Sequence, residues 1–285
     1  MRKQSSAALR WLSRLYGVWF VVGTVLLTIG WMPEGLRWSN AVFLFLAGAL
    51  GALCWVEAFG WIRGLLFTVT AGGIGLLAEG IGVQEGWLFG AYTYDSALGP
   101  ALFGVPLAIG SAWVMVQAVV FFAVRRVNRA ERSRITSVLR ITGAAWLAVS
   151  FDLLLDPVAS VLQGYWTWRD GGGYYGVPWR NFAGWFAVTV FIQTVLTMCA
   201  DTRTSRRSHS SPEPTEHTNA TAVASATASG LAGSVLFMFS VLAWRHGLAL
   251  PSLLGAGPWL WLTLRARVRQ KRGERDDLRT EKSAV

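Results

Sequence analysis

FDLLLDPVASVLQGYWTWRDGGGYYGVPWRNFAGW, residues 151–185, follows one long apolar run and precedes another. It carries two aspartates four residues apart, Asp152 and Asp156, and then a dense run of Trp, Tyr and Gly. Apolar segments that enter lipid avoid carboxylates, because an ionisable group there is costly. A second stretch has the same character: EGIGVQEGWLFGAYTYDSALGPALFGVP, residues 79–106. Two acidic, aromatic stretches set between apolar runs predict one shared site at one face of a membrane.

The rest of the chain supports that setting. Of its 285 residues, 53% are hydrophobic and 15% are charged, against roughly 25% charged in ordinary soluble domains. Eight apolar runs approach spanning length, near 16–32, 41–59, 62–78, 101–124, 141–155, 182–200, 231–249 and 251–264. The expected fold is all-α, a polytopic transmembrane helix bundle of seven or eight spans in the cell membrane. The first run follows Arg2, Lys3, Arg10 and Arg14, lacks a small-residue cleavage signature, and reads as a retained span. If the N-terminus is cytoplasmic and eight spans alternate, all of the 26 Lys and Arg except Arg37, Arg169, Arg180 and Arg245 fall on the cytoplasmic side. That bias follows the positive-inside rule and places both termini in the cytoplasm. Glu79, Asp152 and Asp156 then lie at the opposite face. The net charge of +10 comes from short clusters between apolar runs, so topology explains it and no nucleic-acid partner is expected.

Composition divides the chain into a membrane region (1–200), a Ser-, Thr- and Ala-rich cytoplasmic linker (201–230), a C-terminal helical pair (231–264) and a charged tail (265–285). The linker composition predicts disorder.

Asp152 and Asp156 share a helix face if the fifth span reaches them. Pro157 disfavours helical geometry at Asp156 and predicts a break or kink there. Asp156 then has a structural reading, as N-cap of a short following helix. Glu79 ends the third span; it is either a site carboxylate or an interfacial acid facing water or Arg180. The aromatic and polar set comprises Trp87, Tyr92, Tyr94, Asp95, Trp166, Trp168, Tyr174, Tyr175, Asn181 and Trp185. An interfacial belt accounts for many such aromatics, and for Trp11, Trp19 and Trp31. Clustering beside carboxylates points further, since aromatic faces stabilise a cation. Asp95 alone reads as a turn residue. HExxH, GxSxG, Rossmann and zinc-ligand patterns are absent, and histidine is nearly missing from the spans. A cofactor-free acid/base reaction on a lipid-soluble substrate, or a transport or binding role, remains.

At these residues the chain resembles the integral-membrane carotenoid hydratases, a group that includes CruF-type 1',2'-hydratases and archaeal bisanhydrobacterioruberin hydratases. The likeness covers roughly spans two to six and is most specific in the two quoted blocks. It implies addition of water to the terminal C1=C2 double bond of an acyclic carotenoid end group, giving a tertiary alcohol, with no metal or redox cofactor. The implied partners are lycopene, gamma-carotene or a longer acyclic carotenoid, water and membrane lipid.

That reaction needs a proton delivered to C2, a tertiary cation at C1, and water to capture it. The donor is a carboxylic acid that keeps its proton near neutral pH, a state favoured by apolar burial and a neighbouring carboxylate. Asp152 is the expected donor, with Asp156 and Glu79 as catalytic partners and the aromatic set as the substrate-binding surface. The rival readings are a lycopene cyclase-type enzyme, a membrane prenyltransferase suggested faintly by DLLLD, and a carotenoid-binding or transport protein.

Overall fold

Small residues on one face of the third helix set the core of this fold. The computed structural model describes residues 6–127, 133–207 and 214–265. Its helices are α1 (Ala7–Ile29), α2 (Ser39–Phe59), α3 (Trp61–Glu85), α4 (Leu107–Val127), α5 (Arg134–Asp156), α6 (Trp179–Arg207), α7 (Pro214–Arg245) and α8 (249–265). Among the described residues, seven are long and apolar enough to cross a membrane, so the chain is a multi-pass membrane helix bundle. Helix α8, about 25 Å long, runs back along α5, with Gly255 against Leu154 and Trp259 against Phe151.

Helix α4 is the axis. Lipid tails offer helices no hydrophobic drive to associate, so close packing through small residues does that work. Gly48 and Gly51 bring α2 onto α4, and Gly72 and Gly75 bring α3 onto it. A Cβ at Gly75 would overlap the ring of Trp113. Gly75→Leu is therefore expected to destabilise the bundle by at least about 1–3 kcal/mol. A lower midpoint of thermal unfolding in detergent would register it.

Four short strands lie together at one end of the bundle. Strands β2 (Ala101–Leu102) and β3 (Val105–Pro106) form a hairpin leading into α4. Strand β1 (Tyr92–Tyr94) pairs antiparallel with β4 (Trp166–Trp168), matching Tyr92 to Trp168, Thr93 to Thr167 and Tyr94 to Trp166. This ribbon joins the two acidic, aromatic stretches. Alternate residues of a strand share a face, so YTY and WTW turn their four aromatic rings one way and their threonines the other.

Three expectations need correction. Helix α3 runs to Glu85, so Glu79 lies inside the helix. Pro157 does not break α5: Asp156 keeps helical angles (φ −64°, ψ −49°), and Pro157–Leu162 continues as a π-helical turn. The wider turn takes up the bond that proline cannot donate; Gln163 N reaches Val158 O at 3.0 Å. Asp156 makes no capping bond. The interval 201–230 is helical where described, through Arg207 and from Pro214, while 208–213 lies outside the described residues. Its alanines favour helix, and Ala224 and Ala228 are buried in the bundle. The C-terminal pair is part of the main core. Of the charged tail, only Arg265 falls within the described residues.

Candidate functional site

The β1–β4 ribbon closes one end of a cavity of about 120 Å³ between α1, α2, α4, α5 and α7. Glu79 and Asp152 line it, with Tyr94, Trp166 and Trp185 beside them. Towards α1 and α7 the lining becomes apolar, through Gly23, Leu27, Met238 and Phe239.

Glu79 is 5% exposed and held by three donors. Tyr92 and Tyr94 donate to Oε2, the latter at 2.8 Å, and Trp113 Nε1 donates to Oε1 at 3.0 Å. Burial, and secondarily Glu79 itself, pushes both phenols above the usual tyrosine range. They therefore remain protonated donors. Glu79 is thus buried and does not face bulk water, and its side-chain partners among the described residues are Tyr92, Tyr94 and Trp113 rather than Arg180.

Asp156 is held as completely. Trp166 and Trp168 donate their indole N–H groups to Oδ1 at 2.9 and 3.2 Å, and Asn181 Nδ2 donates to Oδ2 at 2.8 Å. Asn181 Nδ2 also donates to Asp152 Oδ2 at 2.6 Å. An amide nitrogen carries two hydrogens, one for each aspartate. Asp152 differs from the other two acids. Asn181 is its one side-chain partner among the described residues, and Asp152 faces the cavity.

Local chain geometry accounts for this placement. Asp152 and Asp156 sit one helical turn apart on α5, as their spacing predicts. Asn181 lies in the first turn of α6, opposite both. The pairing of β1 with β4 sends two tyrosines to Glu79 and two tryptophans to Asp156. Tyr92 and Trp168 have ring centroids 4.9 Å apart, and Tyr94 and Trp166 5.9 Å.

Asp152, Asp156 and Glu79 thus gather with Tyr92, Tyr94, Trp166, Trp168, Asn181 and Trp185. Of these, Glu79, Asp152, Tyr94, Trp166 and Trp185 line the cavity, and the other four stand behind them; four further candidates join neither the lining nor this hydrogen-bonded group. Asp95 accepts from Ala97 N at 2.8 Å and pairs with Arg37 at 3.2 Å, as a turn residue does. Trp87 is 65% exposed, as an interfacial belt residue would be. The Tyr174 hydroxyl donates to Leu153 O at 3.0 Å, and its ring packs on Trp179 and Phe182. Tyr175 occupies the tight turn Tyr174–Val177 with φ 49°.

Sequence reasoning missed Trp113, which holds Glu79 and stacks on Trp185 at 4.3 Å with a 17° interplanar angle. The signal was a tryptophan inside an apolar span, since a buried indole N–H needs an acceptor. Tyr165 and Gln163 also line the cavity. So does Trp19, which is no simple belt residue and donates to Ser39 O at 3.0 Å.

Fold and site together define an integral-membrane protein with an apolar chamber closed at one end by a carboxylate cluster. The family model described as carotenoid biosynthesis protein matches residues 39–257. The chain belongs to that family, and its role lies in carotenoid biosynthesis. A stretch of 110 residues is 34% identical to the bisanhydrobacterioruberin hydratase of Haloarcula japonica, covering 38% of this chain and 36% of that protein. The alignment thus spans about a third of that relative. No solved structure matches.

Proposed function

We propose that this protein hydrates the terminal C1=C2 double bond of an acyclic carotenoid end group. The observation that carries the reading is the inequality of the three acids. Glu79 and Asp156 each accept from three donors, an arrangement suited to ionised carboxylates. Asp152 faces the cavity with a single side-chain donor, an arrangement suited to a carboxylic acid with a proton to give.

In the proposed reaction Asp152 protonates C2, and the C=C electron pair forms the new C–H bond. The tertiary cation left at C1 lies among the rings of Tyr94, Trp166 and Trp185, whose faces favour positive charge. Water adds through oxygen to C1. The proton it sheds passes to the carboxylate cluster and restores the acid, so the net change is addition of one water. Glu79, ionised at the cavity wall, favours both the cation and the departure of that proton. The end that holds the site faces away from the cytoplasm in this reading, which the Lys and Arg bias supports.

The test is expression in a bacterial host that accumulates lycopene, with chromatography and mass spectrometry of the pigments. The expected product is more polar and heavier by one water, or by two. An isomer of unchanged mass with cyclic ends would replace this reading with a cyclase. Unchanged lycopene, followed by unchanged monocyclic and longer acyclic carotenoids, would leave a binding or transport protein.

A further inference from the structure

The cavity is shallow along the bundle axis compared with a carotenoid. On α1 its lining runs from Trp19 to Leu27, on α7 from Val235 to Leu242, and on α5 and the π-helical turn after it from Asp152 to Ala159. At 1.5 Å per residue each interval is about 10–12 Å of helix. A stiff polyene about as long as the ~30 Å hydrocarbon core cannot lie wholly within it. With one end at Asp152, the rest must leave through a wall.

Helix α1 is the thinnest wall. Only 6% of its apolar window is buried, against 78% for α4. Its buried residues, Leu9 and Tyr16, both lie in its first half. There the Tyr16 hydroxyl meets Ser234 Oγ of α7 at 2.7 Å. Past that contact the cavity separates the two helices, with Trp19, Gly23 and Leu27 on one side and Val235, Met238, Phe239 and Leu242 on the other. Trp19, Gly23 and Leu27 are spaced four apart and form one stripe. Val18, Val22 and Val25 are exposed towards the surroundings, so one helix separates the cavity from lipid. At the middle of the stripe, a Cβ built on Gly23 meets nothing within 4 Å.

We infer that the seam between α1 and α7, beyond Tyr16–Ser234, is a lateral portal through which the polyene of a carotenoid passes between the lipid and the carboxylate end. Gly23 is its specificity-determining residue, because it leaves room for the rod. This inference rests on the proposed function for the identity of the occupant. The Tyr16–Ser234 contact holds α1 in place while its second half borders the rod.

The test compares Gly23→Trp with Val22→Trp in the full-length protein, read in two ways: pigment hydrated in the lycopene host, and lycopene co-purified with the protein from that host. Gly23→Trp places an indole in the seam, whereas Val22→Trp places the same bulk on the lipid-facing surface. The expected result is a loss of about tenfold or more in both readouts for Gly23→Trp, with Val22→Trp at the wild-type level. Equal loss in both variants, or no loss in Gly23→Trp, overturns the portal. If wild type binds lycopene without hydrating it, the hydratase reading fails by itself. The portal is then judged on co-purified pigment alone.

Discussion

Asp152→Asn is expected to lower hydration of lycopene by about 10²–10⁴-fold, the usual effect of removing a positioned general acid. The amide has the shape of the acid, and its oxygen still accepts from Asn181, so the bundle should be unaffected. What it lacks is a transferable proton. Asp156→Asn makes the informative contrast. Asp156 accepts on both oxygens, from two indoles and from Asn181. An amide there must turn an N–H towards another N–H. That variant should lose stability, by about 1–3 kcal/mol for the unsatisfied buried group, as well as turnover. Pigment analysis and thermal unfolding in detergent, run on both variants, separate acid from scaffold. Hydration retained by Asp152→Asn would remove Asp152 from the role.

The parts of this site legible in sequence are those governed by the cost of burying polarity. Carboxylates in or beside apolar runs stand out because lipid penalises them, and Asp152, Asp156 and Glu79 are legible as candidates for that reason. The helix bundle was legible for the same reason. Side-chain assignments depending on strand pairing were not. YTY and WTW each read as a few aromatics near a membrane face; only their antiparallel register sends one pair to Glu79 and the other to Asp156. Trp113 lies 34 residues from Glu79 on a helix with no acidic neighbour to mark it. Pro157 misled because its local preference for a break was absorbed by a π-helical turn, keeping Asp156 in helical register with Asp152. In the 201–230 interval polar composition and helix propensity point in opposite directions, and where the interval is described the helix prevails. Its alanines favour helix, and the small side chains of Ala224 and Ala228 fit the buried core.

Asn181→Leu is expected to reduce both turnover and stability, and the combination separates the bridging residue from the acid. Leucine fills similar space but leaves Asp152 without its side-chain donor and Asp156 with its indoles alone. Two hydrogen bonds to buried acids are lost, worth about 2–4 kcal/mol together. Freed of the amide, the Asp152 carboxyl is no longer fixed toward the cavity, and a misplacement of about 1 Å can cost about 10²-fold in rate. Asn181→Asp should be no better. A carboxyl group carries at most one proton where the amide offers two, so Asp152 would have to turn its own proton to the bridge instead of to the substrate. If Asn181→Leu kept wild-type hydration and unfolded at the wild-type temperature, the bridge would contribute neither placement nor stability. The pairing of Asp152 with Asp156 through one amide would then have no role in setting which acid gives the proton. Loss of stability with turnover intact would leave Asn181 as scaffold alone and return the orientation of Asp152 to the packing of α5 against α6.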